Sequence, residues 1–237
     1  MPITNVFEST RFRSLIVNSF TSFNLVIGLL SLIAATTGAI WLSAWGLLCC
    51  VLLDMCDGSL ARRWDVSSDF GAQFDSLADM TSFIVAGATL IYYWVQPNTP
   101  LWLIVLASAM YTLSGAFRLA RFNCSSAQPG YFQGMPTTFV AAAVAANYLV
   151  APALNSYWVV AVVALLAVLM VSLFPYPKIG PATIRRLPPA LLLALIVCAV
   201  VNISWTVWIV TIAYVGLGPS IWLRRRLQPA TDVIDSM

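Results

Sequence analysis

The sequence predicts an all-α, polytopic membrane helical bundle of about eight spans. Three observations predict it. Of the 237 residues, 60% are hydrophobic and 9% charged, where a soluble domain carries about 25% charged residues. Apolar stretches near or above the ~20 residues that a helix needs to cross a bilayer recur along the chain. The basic residues gather at alternate breaks between those stretches. A soluble globular fold is excluded, because so few charged side chains cannot cover its surface. Disorder is excluded by the high apolar content.

Residues 1–14 are largely polar and read as a cytoplasmic N-terminal segment, with no cleavable signal evident. The apolar stretches then run over 15–38, 40–61, 70–95, 100–121, 134–152, 157–174, 187–203 and 205–223. Turn residues separate them: Thr36-Thr37-Gly38, Pro97-Asn98-Thr99-Pro100, Ala151-Pro152-Ala153, and the run from Pro175 to Pro181. Pro188 and Pro189 suit a helix start, where a missing N–H costs nothing. Residues 15–180 form a membrane core, 181–226 an extra transmembrane hairpin, and 227–237 a cytoplasmic tail.

Charge tests this layout. With a cytoplasmic N-terminus and eight helices, all twelve Arg and Lys residues fall on or near the cytoplasmic side. The outer connections near 38, 97, 154 and 203 carry none, which is the positive-inside pattern. It places both termini, and the acidic cluster between Asp54 and Asp79, on the cytoplasmic side of the cell (inner) membrane. Trp41, Trp45, Tyr92, Tyr93, Trp94, Trp102, Tyr157 and Trp158 lie near the outer ends, as an interfacial aromatic belt does.

Several function classes drop out. The chain has no basic tract of the kind nucleic-acid binders carry, so no nucleic-acid partner is expected. It has no histidine, which removes His-based acid–base chemistry and His metal ligation. Its five cysteines form no CxxC and all but Cys124 lie in apolar runs, so they read as small buried hydrophobes.

The acids carry the chemistry. Of nine, six lie between Asp54 and Asp79. Asp54 and Asp57 end the second apolar stretch, and Asp75 and Asp79 fall early in the third. A charge within the bilayer costs about 3 kcal/mol even on the lenient scale, so these acids require partners. Asp54 and Asp57 are spaced i, i+3, and Asp75 and Asp79 i, i+4, so each pair shares one helix face. A tight turn around 62–68 lets the two faces meet. Hard divalent cations with oxygen ligands, Mg²⁺ or Mn²⁺, resolve the repulsion. Salt bridges to Arg62, Arg63, Arg118 and Arg121 are the alternative. The cluster lies just below the cytoplasmic headgroups, where a lipid diphosphate sits while its tails stay in the bilayer.

These residues resemble a known signature. Asp54-Met-Cys-Asp57-Gly58-Ser-Leu-Ala61-Arg62, eight residues, then Gly71-Ala-Gln-Phe-Asp75-Ser-Leu-Ala-Asp79 match that of the CDP-alcohol phosphotransferases, DxxDGxxAR(x8)GxxxDxxxD. The resemblance implies a six-helix core, a homodimer, two divalent cations, and displacement of CMP from a CDP-linked substrate by an alcohol. It further implies that Asp54, Asp57 and Asp75 are metal ligands. Asp79 would contact the second metal and take the proton of the attacking hydroxyl. Gly58 would admit the cytidine nucleotide, Arg62 would hold its diphosphate, and Ser68 would lie in the same pocket.

Four stretches resemble the phosphatidylserine synthase branch: Asn18-Ser-Phe-Thr21-Ser-Phe-Asn24 with Gly28, Asp75 to Phe83, Phe117 to Asn123, and Phe132-Gln-Gly134-Met-Pro136 with Leu169 to Pro177. Val17, Ile84 and Gly87 depart from that pattern without touching the metal ligands. The expected activity joins CDP-diacylglycerol to L-serine. Other acceptors (glycerol phosphate, inositol phosphate or choline) and a divalent-cation transporter are the alternatives. Asn18, Thr21 and Asn24 recur on one helical face and are candidates for CDP-diacylglycerol binding, or for helix–helix hydrogen bonds. Arg118 and Arg121 end the fourth stretch, as a clamp for the serine carboxylate or lipid phosphate, or as positive-inside anchors.

Overall fold

Helix α1 (Ile3–Thr36) starts well before the first apolar stretch. No glycine or proline interrupts the chain between Pro2 and Gly28, so residues expected as a separate N-terminal segment continue the helix. In this computed structural model, residues 3–66, 68–96, 99–124, 130–177, 198 and 202–227 are described. The α1 terminus is closed by a Schellman turn, with the Ala39 amide donating to the Ala34 carbonyl at 2.9 Å and that of Gly38 to Ala35 at 3.1 Å. Gly38 supplies the left-handed conformation this turn needs, at φ 86°.

Helix α2 (Ile40–Trp64) returns alongside α1. It ends at Asp65, the one non-glycine residue with positive φ among the described residues, at 52°. Ser68 then caps α3 (Asp69–Asp79), its hydroxyl accepting from the Gly71 amide. The third apolar stretch is not one regular helix. After α3 comes a π-helical segment (Met80–Val85), then α4 (Ala86–Val95). Such widened turns are rare and recur at functional sites; this one begins directly after Asp79. Helix α5 (Leu101–Cys124) completes the first half.

Two of the expected spans are shorter than a full crossing. Helix α6 (Thr137–Val150) has 14 residues and α7 (Ser156–Val171) has 16. The residues outside them are drawn into a small antiparallel ribbon. Strand β1 (Tyr131–Gln133) pairs with β2 (Pro175–Pro177), placing Phe132 opposite Tyr176. Pro136, Pro175 and Pro177 cannot donate to a helical ladder, which fixes where the helices stop. The all-α expectation therefore holds apart from this ribbon. Helix α8 (Ile203–Leu227) packs on α6 and β2. The expected span 187–203 and tail 227–237 lie almost wholly outside the described residues, as do Lys178, Arg185 and Arg186.

Among the described residues, five helical segments are long and apolar enough to cross a membrane: Thr10–Thr36, Ile40–Trp64, Asp69–Val95, Leu101–Cys124 and Ile203–Leu227. The chain is an integral membrane protein. Its core gathers Leu47, Phe83, Leu90, Ile91, Ile104, Tyr111, Leu166 and Met170. Of the aromatics expected in an interfacial belt, Trp41, Trp45, Trp102, Tyr157 and Trp158 are exposed on the surface. Trp94 instead donates from its indole to the Pro152 carbonyl at 3.0 Å.

Candidate active site

The site lies where α1, the end of α2 and the start of α3 meet. The left-handed turn at Asp65 folds α3 back so that its acids face those of α2. Carboxylate oxygens of Asp54, Asp57 and Asp75 all lie within 4.8 Å of one another. Three carboxylates so close cannot all stay charged unless a cation lies among them. The donor set is all hard oxygen, which suits Mg²⁺ or Mn²⁺. The residues present therefore fit a divalent-cation site.

Asp79 lies deeper. It is 8% exposed, and its Oδ1 has no hydrogen-bond partner. A buried, unpaired carboxylate oxygen is costly and marks a group kept available for a ligand or a proton. Nearby, Asn24 is fully buried, with both amide atoms unpartnered. Its backbone carbonyl accepts from the Ser82 hydroxyl at 2.9 Å and from the Cys50 thiol at 3.4 Å. The π-helical turn thus ties itself to α1 through Ser82. No side chain fits between them: a Cβ on Gly28 would lie 2.7 Å from the Ser82 Cα.

An open cleft with a cavity volume of about 140 Å³ lies beside the carboxylates, lined by Asn18, Thr21, Asp57, Gly58, Ser68, Gly71 and Asp75 among others. Four residues expected to contact CDP-diacylglycerol, Asn18, Thr21, Gly58 and Ser68, therefore share one cleft. Ser68 also caps α3. Arg62 sits at the side of Gly58, its guanidinium Nη1 3.3 Å from where a Cβ would be. Asn24 is the expected contact that falls deeper, outside the lining.

Two of the arginines that could have neutralised the acids, Arg118 and Arg121, hydrogen-bond to other groups. Arg118 is 7% exposed. It donates to the Thr137 hydroxyl at 2.8 Å and lies 5.9 and 5.7 Å from the Phe122 and Phe132 ring centres. It remains within electrostatic range of Asp79 and Asp54, and its Nε has no partner.

Arg121 does not fit the clamp expected of it. It donates to the carbonyls of Val171 at 2.8 Å, Gln133 at 2.9 Å, and Met170 and Ser172 at 3.2 Å. Those of Met170, Val171 and Ser172 are orphan carbonyls at the C-terminus of α7, which a cation satisfies well, and that of Gln133 belongs to β1. Gly134 accommodates it: at φ 78° it presses against the Met170 carbonyl, and a Cβ there would lie 2.7 Å from Arg121 Nη2.

Sequence reasoning missed Thr137, Phe122 and Phe132 around Arg118. The signals were the resembling stretches that contain them or flank them: Phe117 to Asn123, and Phe132 to Pro136 with Leu169 to Pro177, the last two of which the ribbon brings together. The amide of Gly134 donates to Phe174, and that of Met135 to Leu169.

Similarity to known proteins agrees with this arrangement. Residues 14–174 match the CDP-alcohol phosphatidyltransferase family. The chain is 33% identical over 172 residues to the CDP-diacylglycerol–serine O-phosphatidyltransferase of Helicobacter pylori, covering 68% of this chain and 71% of that protein. It is 33% identical over 159 residues to the enzyme of that name from Methanocaldococcus jannaschii, covering 67% and 71%. The archaetidylserine synthase of Methanothermobacter thermautotrophicus is 33% identical over 174 residues, covering 67% and 72%. The match takes in every acid of the cluster, and the chain belongs to the CDP-alcohol phosphatidyltransferase family.

Proposed function

We propose that this protein transfers the phosphatidyl group of CDP-diacylglycerol to L-serine, giving phosphatidylserine and CMP. One observation carries the reading. Three clustered carboxylates, two of which line an open cleft, stand near a buried carboxylate with an unpartnered oxygen. The names of the similar proteins have serine in common.

In this reading the serine hydroxyl oxygen attacks the phosphorus that bears the diacylglycerol. A P–O bond forms there, the P–O bond to CMP breaks, and the hydroxyl proton passes to Asp79. A carboxylate within hydrogen-bond reach of the incoming hydroxyl serves as general base. Asp54, Asp57 and Asp75 hold the divalent cations, with Asp79 contacting the second. Bound there, two cations supply charge neutralisation for the diphosphate and for the departing phosphate. Thr21 holds Asp57 in place. Asn18, Thr21, Asn24, Gly58, Arg62 and Ser68 receive CDP-diacylglycerol, with Arg62 on its diphosphate. Arg118 receives the serine carboxylate, because a guanidinium reads a carboxylate through two parallel hydrogen bonds.

The sidedness follows the charges. Arg11 and Arg13 lie at the start of the Thr10–Thr36 span. Arg62, Arg63, Arg121 and Arg224 to Arg226 lie in the last turns of their helices, with Arg118 one turn before Arg121. The positive-inside rule then puts the site on the cytoplasmic side of the cell membrane. A homodimer is the assembly that the resemblance implies.

An acceptor screen tests the reading. Purified protein in detergent micelles with CDP-diacylglycerol and Mg²⁺ or Mn²⁺ should release CMP with L-serine. Glycerol phosphate, inositol phosphate and choline should give little. CMP release that favours any of those three would replace serine as the acceptor.

A further inference from the structure

We propose that Tyr214 on α8 is a positioning residue for Arg118, so that the C-terminal helix sets the affinity for the amino-acid acceptor. The proposal rests on the reading of Arg118 as the carboxylate clamp. The residues matched to the family end at 174, and all of α8 lies beyond them. Nothing in the resemblance gives this helix a role.

The geometry does. Tyr214 is 4% exposed. Its ring centre lies 4.0 Å from that of Phe139 and 5.4 Å from that of Tyr176. Those two contacts lead to two of the three residues that surround the Arg118 guanidinium, Thr137 and Phe132. Phe139 is two residues after Thr137, whose hydroxyl accepts from the guanidinium. Tyr176 lies opposite Phe132 in the ribbon, and the Phe132 ring flanks the guanidinium. Tyr214 is also within electrostatic range of Arg118 itself.

Helix α8 is fixed in this place along its length. The Tyr176 hydroxyl donates to the Val215 carbonyl at 3.2 Å. The Tyr176 ring occupies the notch left by Gly218, where any Cβ would collide with it. Phe174 meets Trp222 edge-on at 5.6 Å, and the Arg225 guanidinium lies over the Tyr131 ring at 4.5 Å. The Tyr214 hydroxyl reaches the Pro177 carbonyl only at 3.4 Å, which is a weak bond. Position is therefore transmitted by the ring, not the hydroxyl. A guanidinium fork displaced by about 1 Å loses much of its bidentate geometry, and misplacements of that size cost up to about 100-fold.

The test is steady-state kinetics of the full chain in micelles, with each substrate varied in turn. Tyr214→Leu should raise the KM for serine about ten-fold or more, with the KM for CDP-diacylglycerol within about two-fold. Tyr214→Phe, which keeps the ring, should restore wild-type serine KM. Gly218→Ala, which displaces the Tyr176 ring, should shift the serine KM in the same selective way and serves if Tyr214→Leu does not fold. Equal shifts in both KM values, no shift, or a Tyr214→Phe variant as impaired as Tyr214→Leu would overturn the proposal. Arg118→Lys is measured alongside. An unchanged serine KM there removes the clamp on which the proposal rests. A raised serine KM in Arg118→Lys but not in Tyr214→Leu or Gly218→Ala overturns the positioning role alone.

Discussion

The Thr21 hydroxyl donates to Asp57 Oδ2 at 2.9 Å, across 36 residues of chain and between two helices. Thr21 is 3% exposed and Asp57 equally so. The bond holds a carboxylate that also belongs to the cluster with Asp54 and Asp75. It also ties α1, which contributes no acid, to the carboxylate cluster. Outer partners of this kind orient ligands and typically change metal affinity 10- to 100-fold when removed.

Thr21→Val keeps the side-chain shape and removes the donor. Cation affinity, read as the Mg²⁺ or Mn²⁺ concentration giving half-maximal CMP release, should weaken by about 10-fold or more. Thr21→Ser should retain most of it. A Thr21→Val titration superimposable on wild type would separate Thr21 from the site.

Asp79→Asn removes the proposed base while preserving size. Serine-dependent CMP release should fall by about 100-fold or more. CDP-diacylglycerol binding, measured by equilibrium partition of labelled substrate, should be retained. Near wild-type turnover would move the base elsewhere.

Asp54→Ala acts on a different step. One of three clustered carboxylates is lost, so the cation dependence should shift to higher concentration and nucleotide affinity should fall with it. An unchanged cation titration would count against a ligand role for Asp54.

Arg121→Gln should behave as a stability variant. It removes the guanidinium that caps the carbonyls of Met170, Val171 and Ser172. The loss should be about 2–3 kcal/mol, or roughly 5–10 °C in melting temperature for a chain of this size. The serine KM should change by less than about two-fold. A large serine-specific KM change at full stability would restore Arg121 to the acceptor site.

The acids were legible because helical spacing alone puts Asp54 with Asp57, and Asp75 with Asp79, on one face each. A tight turn between them left one way for the faces to meet, and the structure closes that turn through Asp65 and Ser68. The long helices were legible from their apolar runs. Local pattern does not encode the rest. The π-helical turn at Met80–Val85 follows a sequence as apolar as any regular helix and is fixed by packing against Gly28 and Asn24. Arg118 and Arg121 share a helix face and a residue type. What separates them is where α6 and α7 end: one meets the Thr137 hydroxyl, the other a row of carbonyls. That difference depends on the ribbon between residues more than 40 apart in sequence, Tyr131 with Pro177 and Gln133 with Pro175.

The most direct measurement of the central claim is the stoichiometry of transfer in the intact protein. CMP released and labelled L-serine incorporated into lipid are counted in the same micellar reaction, before and after chelation of divalent cations. The account predicts one CMP for each serine incorporated, loss of both on chelation, and return of both with Mg²⁺ or Mn²⁺. CMP release without serine in the lipid, or transfer that persists in excess chelator, would contradict it.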